Sequence, residues 1–234
     1  MATERRNALP DPAEKAVVVE AMFDRIAPRY DRMNRLLSLG LDRRWRRRAV
    51  TALGLGRDAR VLDLACGTGD LCRELTGRGI TAIGIDVSTG MLRHARTTAP
   101  LVRADGARLP VPDRRIDGIT CGFALRNLTD LPAFLTECAR ALRPGGRIAL
   151  IEVAEPRNRV LKAGHTVWFR RIVPFVGGLL SDRAAYAYLP QSTAYLPPPT
   201  ELAALIGAAG FTDVRRTLLA PGAAQLLTAT RRSD

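Results

Sequence analysis

The chain has 234 residues, of which 47% are hydrophobic and 25% are charged, a balance typical of a folded globular protein rather than a disordered one. No apolar run approaches the roughly 20 residues that a transmembrane helix needs. The polar N-terminus does not resemble a secretory signal, so we expect a cytoplasmic protein. The four cysteines form no C-x-x-C pair and the chain has only two histidines, which predicts buried free thiols and no metal site.

The formal net charge of +13 comes almost entirely from arginine. The densest basic cluster is at residues 43–48, where arginines flank Trp45. One interpretation is a solvated surface, and a second is peripheral contact with an anionic membrane at the inner face of the cell membrane. The low aromatic content and the lack of any recognition motif argue against nucleic acid as a partner. A homodimer is left open.

Taken in chain order, the sequence begins with helical patterns and then alternates between strands and helices. Residues 11–53 carry apolar residues at helical spacing, with an interruption at Pro28, and predict an N-terminal helical cap. Strands are predicted at 60–65, 80–85, 101–104, 116–121 and 147–153, and helices at 70–75, 89–97 and 130–142. The last helix should stop at Pro144-Gly145-Gly146. Such alternation predicts a parallel sheet with helices on both faces.

The alternation breaks at residues 159–199, where helical stretches at 161–173 and 182–189 are separated by Gly177-Gly178. This segment predicts a helical lid insert over the strand ends. Apolar residues between 168 and 176 either line a channel for an isoprenoid chain or form helix core. A helix and two strands at 200–230 complete the pattern. We therefore expect one domain over 1–234, with a cofactor-binding core at 60–153 between the cap and the lid.

A glycine turn, Gly67-Thr68-Gly69, follows the first strand, and Asp86 ends the second strand at the spacing where a carboxylate meets ribose hydroxyls. Asp63 lies just before the turn, where it would repel a pyrophosphate but attract an ammonium group. Asp105 ends the third strand, where it can accept a hydrogen bond from an adenine amino group. These carboxylates favour S-adenosylmethionine as the ligand.

The predicted cofactor-binding residues share one location, the strand ends and the loops that follow them. They are Asp63, Ala65, Gly67, Thr68, Gly69, Asp86, Val87, Met91, Asp105, Gly106 and Gly122. A different interpretation is that Asp86 and Asp105 only cap the helices that follow. An NAD-dependent oxidoreductase is disfavoured by Asp63 and by Cys72, which stands where the dinucleotide fingerprint has its third glycine.

Three further segments are more specific than the glycine turn. They are Tyr30-Asp31-Arg32-Met33-Asn34, Phe123-Ala124-Leu125-Arg126-Asn127 and Leu142-Arg143-Pro144-Gly145-Gly146. With them the chain resembles the ubiquinone/menaquinone biosynthesis C-methyltransferases from about Met22 to Phe211. The resemblance implies an α/β class I S-adenosylmethionine-dependent methyltransferase with a Rossmann-like sheet. It also implies methylation of a ring carbon on a prenylated hydroquinone, with demethylmenaquinol as the expected substrate. In that family the residues matching Thr68, Asp86, Asp105 and Gly106 contact the cofactor.

The chain departs from the family pattern at four places. Gly122 stands where the family usually has serine, and Ala124 replaces the glycine of its F-G-L-R-N segment. Residues 220–225 lack the histidine of the family's T-G-G-I-V-A-x-H stretch, and Asp42 stands where many members have histidine. The alternatives to a prenylated quinol are therefore a soluble phenolic substrate or a non-catalytic partner protein with the same fold.

Arg126 and Asn127 follow the fourth predicted strand, so we expect them at the carboxyl edge of the sheet, where ligands bind. We predict that Arg126 lowers the pKa of a substrate hydroxyl through its charge and that Asn127 orients the ring oxygen. Tyr30 or Asp31 would complete the site or accept the proton. The structural alternative is that Arg126 pairs with Asp130 and that Asn127 caps the next helix.

Overall fold

A computed structural model describes residues 12–156 and 158–233. Residues 1–11 lie outside the described residues. They include the polar N-terminus and the first residue of the predicted cap. The helices are α1 (Pro12–Ile26), α2 (Tyr30–Leu37), α3 (Leu41–Leu53), α4 (Asp70–Thr76), α5 (Thr89–Arg93), α6 (Leu131–Ala141), α7 (Arg159–Val167), α8 (Val173–Leu180), α9 (Arg183–Ser192) and α10 (Pro199–Ala208). The strands are β1 (Arg60–Leu64), β2 (Thr81–Asp86), β3 (Leu101–Arg103), β4 (Ile116–Gly122), β5 (Leu142–Val153), β6 (Phe211–Leu219) and β7 (Ala224–Arg231).

The strands form one seven-stranded sheet in the order β3-β2-β1-β4-β5-β7-β6. The first five of these are parallel, and β7 runs antiparallel between β5 and β6. The carboxyl ends of β1, β2, β3 and β4 therefore meet at one edge. The strand order turns back between β1 and β4, the kind of position where open α/β sheets bind ligands.

Helices cover both faces of the sheet, as predicted. On one face, α6 and α10 pack on the strands around the fully buried Phe134 and Ile206. On the other, α3 and α4 pack around Leu53 and Leu75. A third cluster, which includes Met22 and Tyr186, joins α1 and α2 to α5, α8 and α9. The α/β class is confirmed, and all four cysteines are buried and free.

Local signals explain α6. Asp130 accepts a hydrogen bond from the Ala133 N–H at 2.8 Å, and a proline stands in the first turn, where its missing N–H has no cost. Leu131, Leu135 and Cys138 follow at i, i+4 and i+7 and are all buried. The cap and the amphipathic pattern therefore explain where this helix begins and which of its faces is buried.

The segment Pro144-Gly145-Gly146 lies inside β5, which begins at Leu142, directly after α6. This segment does follow the end of α6, but the sequence pattern predicted that the strand begins only at Arg147. The pairing of β4 with β5 shifts register between Ile116 and Gly118, and Gly145 has a φ of 74°. An irregularity of this kind admits a proline and a left-handed glycine within a strand.

The lid insert differs from its prediction in one respect, because Gly177-Gly178 lies within α8 and not between two helices. A Cβ at Gly177 would lie 2.1 Å from Cγ of Tyr186. The glycine therefore permits α8 and α9 to approach closely, and it is not a linker. The chain between α7 and α8, Trp168–Ile172, forms a π-helical turn.

The lid and the cap contact each other over the carboxyl edge of the sheet. Trp168 donates its indole N–H to the Leu37 carbonyl at 3.1 Å, and Arg25 pairs with Asp182 at 3.1 Å. Within the described residues, no helix is long and apolar enough to span a bilayer. Cap and lid thus form a joint cover above the strand ends.

Candidate active site

The turn after β1 is shaped by left-handed backbone. Ala65, Gly67 and Gly69 have φ angles of 50°, 55° and 81°, and Gly69 directly precedes α4. The Gly67 N–H donates to Asp86 Oδ2 at 2.7 Å, which ties the turn to the end of β2. A Cβ at Gly67 would meet only the Tyr30 ring, at 4.0 Å. The glycines therefore leave open space above a backbone turn.

Asp86 connects the end of β2 with the glycine turn and with Ser88, directly before α5. Its second oxygen accepts the Ser88 N–H at 2.8 Å, and burial raises the pKa of its carboxyl above the ordinary value. Ser88 is the N-cap of α5 and accepts the Met91 N–H at 3.0 Å. Asp86 is therefore not the cap of that helix, which removes one basis for the alternative interpretation. Asp24 of α1 accepts hydrogen bonds from both the Ser88 hydroxyl and the Gly90 N–H.

Asp63 lies beneath the turn, with only 1% of its surface exposed. Its oxygens accept the Thr120 hydroxyl at 2.9 Å and the Cys72 thiol at 3.4 Å. Burial raises the pKa of this carboxyl to about 7. Both oxygens of Asp63 are thus engaged beneath the turn and are not exposed above it.

The cap reaches the glycine turn through two adjacent residues of α2. Asp31 accepts a hydrogen bond from the Thr68 hydroxyl, and Thr68 is buried. The ring of Tyr30 lies next to Gly67. The Y-D-x-M-N segment and the glycine turn are therefore parts of one site.

The other predicted cofactor residues lie along the same edge. Val87 is 41% exposed, whereas Met91 is buried against the cap helices. Asp105 is exposed and accepts the Ala107 N–H at 2.9 Å. This hydrogen bond belongs to a local turn and not to the start of a helix. Gly106 and Gly122 leave narrow gaps, because a Cβ there would lie 3.0 Å from the Phe134 ring or 3.2 Å from the Leu71 side chain.

A cavity of about 380 Å³ lies between the cap, the lid and the sheet edge. Most of its walls are apolar. Its apolar lining includes Met22, Ile26, Leu37, Trp45, Phe123, Val153, Trp168, Val173 and Leu189. The polar groups that reach it include Arg126, Tyr30, Asn34 and His165, and burial lowers the pKa of the His165 imidazole. Such a cavity suits a mainly hydrophobic ligand with a few oxygen atoms.

Arg126 is 4% exposed and pairs with Glu152 of β5, which is fully buried. Its Nη1 also donates to the Phe123 carbonyl at 2.9 Å, and its Nε donates to the Ser192 hydroxyl at 3.1 Å. The suggested pairing with Asp130 is wrong, because Asp130 is occupied as the cap of α6. Within the described part of the chain, Arg126 Nη2 has no hydrogen-bond partner, although Arg126 lines the cavity.

The four predicted catalytic residues divide into two pairs. Arg126 and Tyr30 line the cavity. Asp31 bonds to Thr68, and Asn127 accepts the Tyr188 hydroxyl at 3.4 Å. Asn127 is therefore held by the lid and does not cap α6.

Sequence reasoning missed Glu152, Ser192, Thr120 and Asp24. A signal for Glu152 was present, because a carboxylate inside the apolar strand 147–153 needs a buried cationic partner. Ser192 and Asp24 gave no comparable signal, since serines and aspartates on helices are common on protein surfaces. Only tertiary contacts bring these two residues to the site.

Two of the departures from the family pattern lie at the cavity. Asp42 lines it and accepts a hydrogen bond from Ser38 at 2.9 Å, while pairing with Arg46. Pro221 and Ala223, in the segment without the family's histidine, also line it. Across the residues for which the structure gives positions, no group of three or more His, Cys, Asp or Glu side chains could hold a metal ion.

Comparison with solved structures shows the same fold. An S-adenosylmethionine-dependent methyltransferase from Thermotoga maritima superimposes with a TM-score of 0.64 at 20% identity, over 91% of this chain and 99% of that one. Phosphoethanolamine N-methyltransferase 2 of Haemonchus contortus, in complex with S-adenosyl-L-methionine, gives 0.59 at 14% identity, over 79% of this chain and 51% of that one. With its strand order, the chain therefore has the class I methyltransferase fold of these neighbours.

Within that class, the chain belongs to the ubiE/COQ5 methyltransferase family, whose model matches residues 11–231. It is 44% identical to the demethylmenaquinone methyltransferase of Roseiflexus sp. (strain RS-1), over 96% of this chain and 98% of that protein. It is 40% identical to the ubiquinone/menaquinone biosynthesis C-methyltransferase UbiE of Geobacter sulfurreducens, over 86% and 83%. The family resemblance seen in the sequence is confirmed.

Proposed function

We propose that this protein methylates a ring carbon of a prenylated hydroquinone and converts demethylmenaquinol to menaquinol. The observation that carries the proposal is the apolar cavity beside the glycine turn, with the buried guanidinium of Arg126 in its wall. An apolar cavity accommodates the ring and the start of a prenyl chain, and a fixed cation there can stabilise a phenolate. The names of the relatives that share most of its length support the same substrate.

The residues along the sheet edge fit S-adenosylmethionine. Gly67 leaves open space above the turn, while Asp86 retains unused acceptor capacity on both oxygens for ribose hydroxyls. Asp105 is exposed for the adenine end, and the field of Asp63 favours a cation above it. When bound there, S-adenosylmethionine supplies an electrophilic methyl group.

Arg126 would act on the substrate hydroxyl. A phenol reacts at its ortho carbon far more readily after it loses its proton, so a nearby cation that lowers the hydroxyl pKa promotes the reaction. Arg126 Nη1 and Nε are held by protein groups, which leaves Nη2 to face the ring oxygen. An ordered water is the proposed proton acceptor.

Tyr30 lies in the cavity wall next to Gly67, which suits it to pack on the substrate ring. Asp31 is better suited to hold Thr68 and the glycine turn. Asn127, which follows Arg126 and whose Oδ1 accepts the Tyr188 hydroxyl, would orient the ring oxygen. Cap, core and lid then each supply one part of the site.

A prenylated quinol partitions into the bilayer, so we also propose peripheral contact with an anionic membrane surface. The charge of +13 supports it, as does the apolar mouth of the cavity. Leu39 and Val160 line the cavity and are also 71% and 80% exposed. A homodimer forms no part of the proposal.

The test is a methyl-transfer assay with labelled S-adenosylmethionine and reduced demethylmenaquinone. Arg126→Ala alone would leave Glu152 as an unpaired buried charge, so the variant is Arg126→Gln with Glu152→Gln. We expect label in the ring with the parent, and a loss of at least about a hundredfold in kcat with unchanged cofactor affinity in the double variant. Cofactor binding with no transfer, or equal transfer to a soluble phenol without a prenyl chain, would overturn the quinol assignment.

A further inference from the structure

The lid helix α9 contacts both residues at the tip of the turn after β4. Tyr188 donates its hydroxyl to Asn127 Oδ1 at 3.4 Å, and the Ser192 hydroxyl accepts the Nε–H of Arg126 at 3.1 Å. Tyr188 and Ser192 are four residues apart and therefore share one face of the helix. One face of the lid is thus aligned with the two residues that the proposed chemistry uses.

The geometry points to Ser192 as a positioning residue that fixes the orientation of the Arg126 guanidinium, an inference that rests on the proposed function. The guanidinium is planar, so its orientation is set once two of its edges are held. Glu152 and the Phe123 carbonyl hold Nη1, and Ser192 holds Nε. Nη2 is then aimed in one direction, toward the cavity that Arg126 lines.

Ser192 is itself held firmly. Its side chain is fully buried, and its hydroxyl donates to the Leu189 carbonyl at 2.8 Å. With its proton used there, the oxygen presents lone pairs to the Arg126 Nε–H. Water has little access at this position, so loss of the hydroxyl would leave a buried N–H of a charged group without a partner.

The same turn is anchored from the cap. Lys15 donates to the Leu128 carbonyl at 2.8 Å and lies 3.9 Å from the centre of the Tyr195 ring, just beyond α9. Cap and lid therefore contact residues 125–128 from two sides. The contact between Ser192 and Arg126 Nε therefore depends on how α9 packs against this turn.

The test compares Ser192→Ala with Thr193→Ala. Thr193 is the matched control, because its hydroxyl also bonds to a carbonyl three residues earlier, at 2.7 Å from Pro190 O, but does not contact Arg126. In Ser192→Ala we expect kcat to fall roughly tenfold or more, with little change in KM for either substrate. The pH of half-maximal kcat should move upward, because a misaligned cation depresses the hydroxyl pKa less. Thr193→Ala should keep the parent's kcat and pH profile.

A second readout does not depend on the substrate. The Arg126 Nε–H should exchange slowly with solvent in nitrogen-15 NMR of the parent and of Thr193→Ala, and quickly in Ser192→Ala. Slow exchange in all three proteins, or a kcat loss without a shift in the pH profile, would overturn the positioning role. If the parent does not methylate the quinol while the exchange difference holds, the proposed substrate fails and the Ser192 contact stands.

Discussion

The buried pair of Arg126 and Glu152 dominates the site at the residue scale. Arg126 is 4% exposed and Glu152 is fully buried, so neither charge is well screened by water. Removing one partner leaves the other charged and desolvated, which typically costs about 3–5 kcal/mol. Removing both charges together costs much less.

We therefore expect Arg126→Gln alone to lower the free energy of unfolding by about 3–5 kcal/mol, and the double variant with Glu152→Gln to regain more than half of that loss. Urea denaturation of the parent, Arg126→Gln, Glu152→Gln and the double variant measures this directly. If the double variant is as unstable as the sum of the single variants, the two residues do not interact as a pair.

Asp63 makes stability depend on pH. Its pKa is raised to about 7 by burial, against about 3.9 in an unfolded chain. The folded protein therefore binds more protons than the unfolded chain between about pH 4 and pH 7, and the free energy of unfolding falls as pH rises through this window. Above the folded pKa the contribution is constant.

Asp63→Asn should remove this dependence in the cofactor-free protein. Between about pH 5 and pH 7, the variant should gain stability relative to the parent by on the order of 1 kcal/mol per pH unit. Denaturant titrations at several pH values measure the difference. A constant difference across the range would mean that Asp63 is ionised throughout.

At the scale of single elements, the packing of α8 on α9 depends on Gly177. Alanine favours a helix over glycine by about 1 kcal/mol, but its Cβ at this position would overlap Tyr186. Gly207 in α10 is the matched control, because a Cβ there would have nothing within 4 Å. The two substitutions add the same methyl group in opposite packing environments.

We expect Gly177→Ala to destabilise the protein by about 1–3 kcal/mol and to expose the lid to proteolysis, whereas Gly207→Ala should be neutral or stabilising by up to about 1 kcal/mol. Thermal unfolding and limited proteolysis report the two effects. Equal stabilisation by both variants would show that α8 and α9 do not pack through this glycine.

At the scale of the whole molecule, charge and apolar exposure act together. We expect the net charge of +13 to attract anionic lipid at long range, and exposed apolar residues at the cavity mouth to add short-range contact. We expect binding to phosphatidylglycerol vesicles at low salt, loss of binding near about 0.5 M salt, and weak binding to phosphatidylcholine.

Two variants test whether residues at the cavity mouth, rather than elsewhere on the surface, contact the membrane. Leu39 and Val17 are each 71% exposed, but only Leu39 lines the cavity. Leu39→Asn should weaken vesicle binding measured by co-sedimentation, and Val17→Asn should leave it unchanged. Equal effects of the two would place the membrane contact elsewhere.

The sequence by itself determined the alternation of strands and helices, the class of the sheet and the place of the glycine turn. These depend on local signals: apolar periodicity, the caps at Ser88 and Asp130, and glycines that permit left-handed backbone. Such signals act within a few residues, so they can be recognised from the sequence alone. The motif that carries Arg126 and Asn127 was also visible as a segment that follows a strand.

Tertiary structure alone decided the partners. Glu152 is 26 positions from Arg126 and Ser192 is 66, and nothing local selects either contact. The burial of Asp63 and the packing of Gly177 against Tyr186 likewise depend on how distant elements are arranged. The strength of a charge and the direction of a hydrogen bond depend on exclusion of water, and that exclusion exists only once cap, sheet and lid are assembled.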